Sequence, residues 1–581
     1  MTGDPAGAAP VRLTWAQPED LIGHELRQAA EDGRDAGPVL RAWTAAGGRP
    51  APARAGASPV PAPPELRALA SRLLDELAAL PAPTAATEPT TWPSIHATWP
   101  PHPDARPSEP PAPEPEHGPG RLRPRHAHTP EPERGHAPEP GPAPEPGPGP
   151  EPGPGPEPRP GHGPGPGHGP GPGHGHAPGH RRGPRPGPEY RHGSGTGPEP
   201  EHGHEPGPAP APGPRPGPDP GPRPEPPVDP VLRRRLEAGW VGRAVGCVLG
   251  KPVEKLPLDA IRALARATGN WPLADWFTAR GVPAELLAAH PWNRRSAATC
   301  LAENIDGAPE DDDLDHPLLG LLLLRRHGKA FTTADLARLW LDELPAGRTF
   351  TAERVAYRNL LLGLEPPGTA THHNPFREWI GALIRADVHG WTNPGDPAAA
   401  AEQAYRDATL THTANGVYAA LFAAATIAEA AGGRADVHGA LRAGLAVVPP
   451  RSRLADAVRF GIRTARDEAD FDRVVDRLHA CYGHYHWVHA LPNTALIAAA
   501  LTHADGDFTH SVCRAVSGGW DTDSNGATAG SVAGILAGSP DRIPERWTAP
   551  LKNRLATTVA GFDGVGFDTL AHLTAQEAAR S

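Results

Sequence analysis

Over roughly the last 350 residues of the chain, apolar residues recur at three- and four-residue spacing, and period-two alternation with hairpin turns is hard to find. That pattern predicts helices. It places them over 231–249 behind Pro230, and over 317–327, 333–342, 401–431 and 494–503. Near the N-terminus, 18–31 and 63–80 read the same way. In each, proline precedes acidic first-turn residues, and the second repeats Leu66, Leu69, Leu73, Leu77 and Leu80 along one face. The expected class is all-α: a compact many-helix domain over 230–578 with polar motifs on long loops, preceded by a small helical unit within 1–100. Two short amphipathic helices bury little surface alone, so the N-terminal unit is expected to dock on something or pair with itself.

Composition changes this picture in one stretch. The 581 residues include 80 Pro and 67 Gly, and 46 of those Pro and 27 of those Gly fall within 101–230. A segment so poor in apolar residues cannot offset the entropy of ordering, so 101–229 is expected to be a disordered, extended linker. It holds 13 of the 30 histidines, in no fixed spacing, which reads as compositional bias rather than a metal cage. A net charge of −11 supplies no basic field for nucleic acid. Cys247, Cys300, Cys481 and Cys513 form no CxxC pair and imply no disulfide framework. The N-terminus lacks a basic-then-apolar leader, and apolar runs such as Leu318 to Leu324 are far short of a membrane span. The expectation is a cytoplasmic chain without nucleic-acid or membrane partners.

Two acidic clusters each open an apolar helix. Glu310, Asp311, Asp312, Asp313 and Asp315 crowd the start of the 317–327 helix. One or two acids would serve as a cap and complement the helix dipole, whereas five repel one another unless a cation screens them. Oxygen donors suit hard divalent ions such as Mg²⁺, Mn²⁺ or Ca²⁺. The second cluster, Gly518-Gly519-Trp520-Asp521-Thr522-Asp523-Ser524-Asn525-Gly526, leads into a helix with Gly526, Gly530, Gly534 and Gly538 at four-residue spacing, a stripe that lets a neighbouring helix approach closely. Its opening imitates an EF-hand loop, but Val532 stands where that loop needs Glu, so the EF-hand is rejected. Two hard-ligand clusters in one α-domain suggest a shared two-metal site.

With these motifs in order, the chain resembles the ADP-ribosylglycohydrolase family, relatives of the dinitrogenase-reductase-activating glycohydrolase. The family's early Thr-Asp-Asp-Thr motif aligns with Glu310 to Asp313, the two Asp and final Thr of its late Gly-Asp-Thr-Asp-Thr motif with Asp521, Asp523 and Ser524, and its opening G-D-A-L-G-x-P-x-E helix with 236–254. Asn374-Pro375-Phe376, Thr411 to Gly416 and Pro492 to Ala495 are similar to its intermediate motifs. The resemblance spans 232–560. It implies an all-α fold, two Mg²⁺ ions (Mn²⁺ as an alternative) and hydrolysis of the glycosidic bond joining ADP-ribose to a protein side chain or small conjugate. By position it implies metal ligation by Glu310, Asp311, Asp312, Asp521, Asp523 and Ser524, and acid–base roles for Glu254, Glu310 and Asp312. Asn374, His412, Asn415, Gly416, His489, Asn493 and Gly519 are the candidates for the substrate side. Glu310 and Asp313 stand where the family has hydroxyls, and Cys247 replaces its opening Asp.

Cleaving such a bond passes through an oxocarbenium-like sugar and needs an activated water and charge compensation. Cys481, His484, His486 and His489 lie within nine residues but fit neither CxxC nor HExxH spacing, so they read as a structural or substrate-lining segment beside Trp487. No P-loop, Rossmann or G-x-S-x-G pattern occurs in 230–578. Two rivals stand beside the glycohydrolase: a hydrolase of a smaller ribosyl glycoside, and a catalytically inactive ADP-ribose-binding scaffold.

Overall fold

In a computed structural model, residues 13–51, 60–100 and 227–580 are described, and the expected linker lies outside them except for its last three residues. The N-terminal portion contributes α1 (Pro18–Glu31) and α2 (Pro64–Ala78). After it come α3 (Pro230–Gly250), α4 (Asp312–His327), α5 (Ala414–Ala431), α6 (Arg453–Asp467), α7 (Ala490–Ala504), α8 (Thr522–Ala537) and α9 (Phe567–Ala578), with shorter helices between. Among the described residues β-pairing is confined to isolated bridges, so the chain is all-α as expected. Helix starts are capped by short polar side chains: Asp229 accepts the Val231 N–H, Asp311 that of Asp313 and Ser452 that of Ala455.

One expected helix is broken in two. The pattern over 401–431 is carried by Pro397–Ala408 and by α5, with Thr409 to Thr413 between them. The Thr409 hydroxyl bonds back to the Tyr405 carbonyl, the Thr413 N–H turns away to the Arg377 carbonyl, and Ala414 takes a left-handed φ of 41°. Threonine hydroxyls that compete for backbone carbonyls end the first helix, and a periodicity count cannot see that competition. Helix α5 is long and apolar enough to cross a membrane, yet it lies mostly buried as a core helix.

The centre of the domain is the packing of α3 against α8. A Cβ on Gly246 would stand 1.8 Å from the Gly526 carbonyl oxygen, and one on Gly242 2.1 Å from that of Gly530. Reciprocally, a Cβ on Gly534 would stand 2.1 Å from the Ala238 carbonyl oxygen. The two backbones therefore touch, which only missing side chains permit. The stripe read from sequence on α8 is this seam at Gly526, Gly530 and Gly534. Gly538 is not part of it; it ends the helix in the left-handed conformation, φ 81°.

The N-terminal helices dock on the C-terminal domain, and the described residues make one compact unit. Leu21 and Ile22 of α1 are fully buried. Arg377 pairs with Glu25 at 2.8 Å and Asp32 at 2.9 Å, and Arg453 with Glu88 at 2.8 Å and Glu378 at 2.9 Å. Arg354 donates to the Thr14 hydroxyl and Arg358 to the Ala16 carbonyl. Glu31 is enclosed in the same network; burial, with Glu378 adding to it, raises its carboxyl to about 8.

Two outcomes follow. Gly530→Ala forces the seam apart and is expected to cost about 2–3 kcal/mol in urea unfolding, whereas Gly347→Ala, with open space at its Cβ, stays within about 0.5 kcal/mol of wild type. A carboxyl whose pKa rises on folding is protonated in the native state and ionised in the unfolded chain between 4.5 and about 8. Glu31 therefore makes stability fall as pH climbs through that window, and Glu31→Gln is expected to flatten the loss measured by urea unfolding at pH 5, 6, 7 and 8.

Candidate active site

Three helix termini converge on a cavity of about 720 Å³: the C-terminus of α3 and the N-termini of α4 and α8. Each brings a different part of the acidic cluster. Asp311 caps α4 from an extended backbone and its carboxylate accepts the Asp313 N–H at 3.1 Å. Asp313, in the first turn, is 1% exposed; it pairs with Arg243 at 3.2 Å and accepts the Ser524 hydroxyl at 3.2 Å. Asp312 faces the same cavity. Three carboxylates this close repel one another, and desolvation together with the neighbouring carboxylates holds Asp312 and Asp313 well above the usual carboxylate range.

The α8 end is aimed by a strained loop. Gly519 and Trp520 both take left-handed φ, 80° and 58°, and the Trp520 ring stacks on His479 at 3.9 Å. Asp521 stands at the N-cap of α8 without making a capping bond, and its N–H donates to Asn493 Oδ1 at 3.1 Å. Burial, then Asp523 and Glu254, push its carboxyl well up. Asp523 is 3% exposed and its Oδ1 is buried with no hydrogen-bond partner. Ligand atoms of Glu254, Asp521 and Asp523 lie within 4.8 Å of one another, as do those of Cys247, Asp311 and Asp313. Those oxygens, and the orphaned Asp523 Oδ1 above all, suit a hard divalent cation.

Basic residues missed by the motif reading stand among these acids. Arg243, fully buried, pairs with Asp313 and, at 3.0 Å, with Asp387. Lys251 contacts Asp311, and its Nζ lies 2.6 Å from Asp523 and 3.5 Å from Glu254. Burial opposes its charge, but these three carboxylates outweigh it and hold the ammonium well above the ordinary lysine range. A signal for both was present: Arg243, Cys247 and Lys251 recur at four-residue spacing, each directly after a seam glycine, so the stripe beside the seam must face the cluster.

The other sequence candidates separate into wall and support. Glu310 is on the cavity wall but pairs with Arg348 at 2.8 Å and belongs to neither ligand grouping. Burial raises its carboxyl even against Arg348. Glu254 is on the wall, held by Asn293 at 2.7 Å and Lys255 at 2.7 Å. None of Asn374, His412, Asn415, Gly416, His489, Asn493 and Gly519 lines this cavity. Asn374 spends its amide on the Ala370 and Thr411 carbonyls, and His412 is buried against the Thr411 hydroxyl. Asn415 joins Glu378 to the Leu454 N–H, and Gly416 lets the Arg377 carbonyl come close. His489 caps α7, Asn493 supports Asp521, and the Gly519 carbonyl accepts from Asn525. Of the aromatic and histidine segment, Trp487 lines the cavity while His486 stacks on Trp379 at 4.2 Å. Thr14 and Trp15 complete the wall from the N-terminal unit, a contribution no local motif announces.

Residues 229–578 match the family model described as ADP-ribosylglycohydrolase. No curated protein matches the chain. Forty-four chains of solved structures do match. One, described as an ADP-ribosylglycohydrolase-related protein complex, is 21% identical, covers 60% of this chain and 98% of its own, and has a TM-score of 0.37.

Arg243 offers a direct test of the cluster's electrostatics. Arg243→Met strands Asp313 and Asp387 without their buried cation and is expected to destabilise the fold by about 3–5 kcal/mol in urea unfolding, with part of the loss recovered when Asp387→Asn is added.

Proposed function

Because the chain belongs to the ADP-ribosylglycohydrolase family, we propose that it is a divalent-cation-dependent hydrolase that cleaves the glycosidic bond of an ADP-ribosylated protein or small ADP-ribosyl conjugate. The observation that carries this reading is the meeting of Glu254, Asp311, Asp312, Asp313, Asp521 and Asp523, from three helix termini, on one wall of a roomy cavity. A bound Mg²⁺, or Mn²⁺ in its place, would supply Lewis acidity and lower the pKa of a coordinated water. Glu254, Asp521 and Asp523 are the residues proposed to hold it, with Asp311, Asp312 and Ser524 beside them.

The chain's own groups supply the rest. Glu310, half-buried and raised by that burial above its ordinary value, is one carboxyl placed to exchange a proton, and Asp312 and Glu254 are the others placed to take one from an attacking water. Trp487 on the cavity wall offers a face for the adenine ring. Asn493 acts through Asp521, whose backbone it fixes.

One observation favours a second reading, an ADP-ribose-binding scaffold without turnover: the Lys251 ammonium already sits among the carboxylates. The two readings separate in one assay. Full-length protein is incubated with arginine-, serine- and acetyl-linked ADP-ribose, with Mg²⁺ or with EDTA. Mg²⁺-dependent release of ADP-ribose is expected, falling by roughly 100-fold or more in Asp521→Asn combined with Asp523→Asn. Release that survives this double substitution rejects the metal reading. Calorimetric binding of ADP-ribose without release from any conjugate selects the scaffold.

A further inference from the structure

Lys251 follows directly on the last residue of α3, and its place is fixed from both sides. The Gly250 carbonyl accepts the Thr522 hydroxyl at 2.7 Å, and the Lys251 carbonyl accepts the Ser296 hydroxyl at 3.0 Å. A Cβ on Gly250 would stand 2.3 Å from the Thr522 carbonyl oxygen, so the backbone here is pressed onto the start of α8. The side chain is 17% exposed and its ammonium touches one member of the Cys247, Asp311 and Asp313 grouping and two members of the Glu254, Asp521 and Asp523 grouping.

The two groupings are unequal. In the first, Asp311 is paired with Lys251, Asp313 with Arg243, and Cys247 offers a soft sulfur that suits Mg²⁺ or Mn²⁺ poorly. In the second, Glu254 is paired with Lys255 at 2.7 Å and reached by Lys251 at 3.5 Å, but Asp521 has no basic partner among the described residues, and Asp523 Oδ1 is buried and unpartnered although Oδ2 meets the lysine. A divalent ion and an ammonium compete for the same carboxylate oxygens and cannot share one position, since Mg²⁺ ligates at about 2.0–2.1 Å.

We propose that Lys251 is a built-in cation: its ammonium, with Arg243 beside it, takes the place of a divalent ion at Asp311 and Asp313, so the chain binds one divalent cation where the family resemblance implies two. This rests on the reading of the cluster as a cation site. The family's two-ion chemistry becomes a one-ion, one-lysine arrangement, with the remaining ion at Glu254, Asp521 and Asp523.

The test counts ions. Full-length protein is stripped with chelator and titrated with Mn²⁺, free Mn²⁺ being read by electron paramagnetic resonance and bound Mn²⁺ by native mass spectrometry. Wild type and Lys251→Arg are expected to bind one Mn²⁺ per chain. Lys251→Met is expected to bind two, with an exchange-coupled signal absent from wild type. Lys251→Gln serves as a second uncharged variant, and circular dichroism checks that each protein is folded. Two ions in wild type, or one ion in both uncharged variants, overturns the proposal. No ion in any protein overturns both the proposal and the metal-dependent hydrolase reading. No ion in wild type but one or more in the uncharged variants overturns the one-ion count proposed for the native chain together with the metal-dependent hydrolase reading.

Discussion

Two helix backbones in direct contact set the distance on which everything else in this domain depends. Where Gly242, Gly246 and Gly250 of α3 meet Gly526, Gly530 and Thr522 of α8, carbonyl oxygens occupy the space that Cβ atoms would need. The contact is short in the literal sense, and it brings the last turn of α3 against the first turn of α8. Lys251 and Glu254 are thereby delivered to Asp521 and Asp523 without any long side chain having to bridge a gap. Larger residues along either stripe would separate the termini and, with them, the acids.

The seam also explains how so much charge is tolerated away from water. Buried carboxylates are costly unless paired, and pairing is supplied by the stripe next to the glycines, Arg243 and Lys251. Arg243 ties α4 and Asp387 to α3, while Lys251 ties α4 to α8. The same logic recurs where the N-terminal helices dock. There Arg377 and Arg453 each gather several acids, and the surplus of acid over base leaves Glu31 and Glu378 with raised carboxyls, to about 8 and about 7, through burial first of all. That docking has a consequence for the cavity, because it carries Thr14 and Trp15 onto its wall.

Much of this was legible in the residues. Helix α1 runs over the span its proline and acids announce, and α4 and α8 do open on the two acidic clusters. The glycine stripe on α8 was readable because it is periodic. Its partner on α3 was equally periodic but hidden inside a motif read for its resemblance rather than its spacing. The break at Thr409 to Thr413 was not readable, since it turns on hydroxyls that bond back to carbonyls and on an N–H that leaves for Arg377. Asn374, His412 and Asn415 illustrate a further limit: polar residues beside a motif look like site residues, and only their hydrogen-bond partners reveal that they hold loops together.

What the sequence determined by itself is the local register: which residues share a helix face, where helices begin, and that oxygen-rich clusters stand at two of those beginnings. A helix repeats every 3.6 residues through bonds to its own backbone, so such information is contained in a short window. What only the tertiary structure decided is separation in space. Asp313 and Ser524 lie 211 residues apart and hydrogen-bond at 3.2 Å, and Lys251 reaches Asp523 across 272 residues. Those distances depend on how closely distant backbones can approach, which is a property of two surfaces together and of neither segment alone.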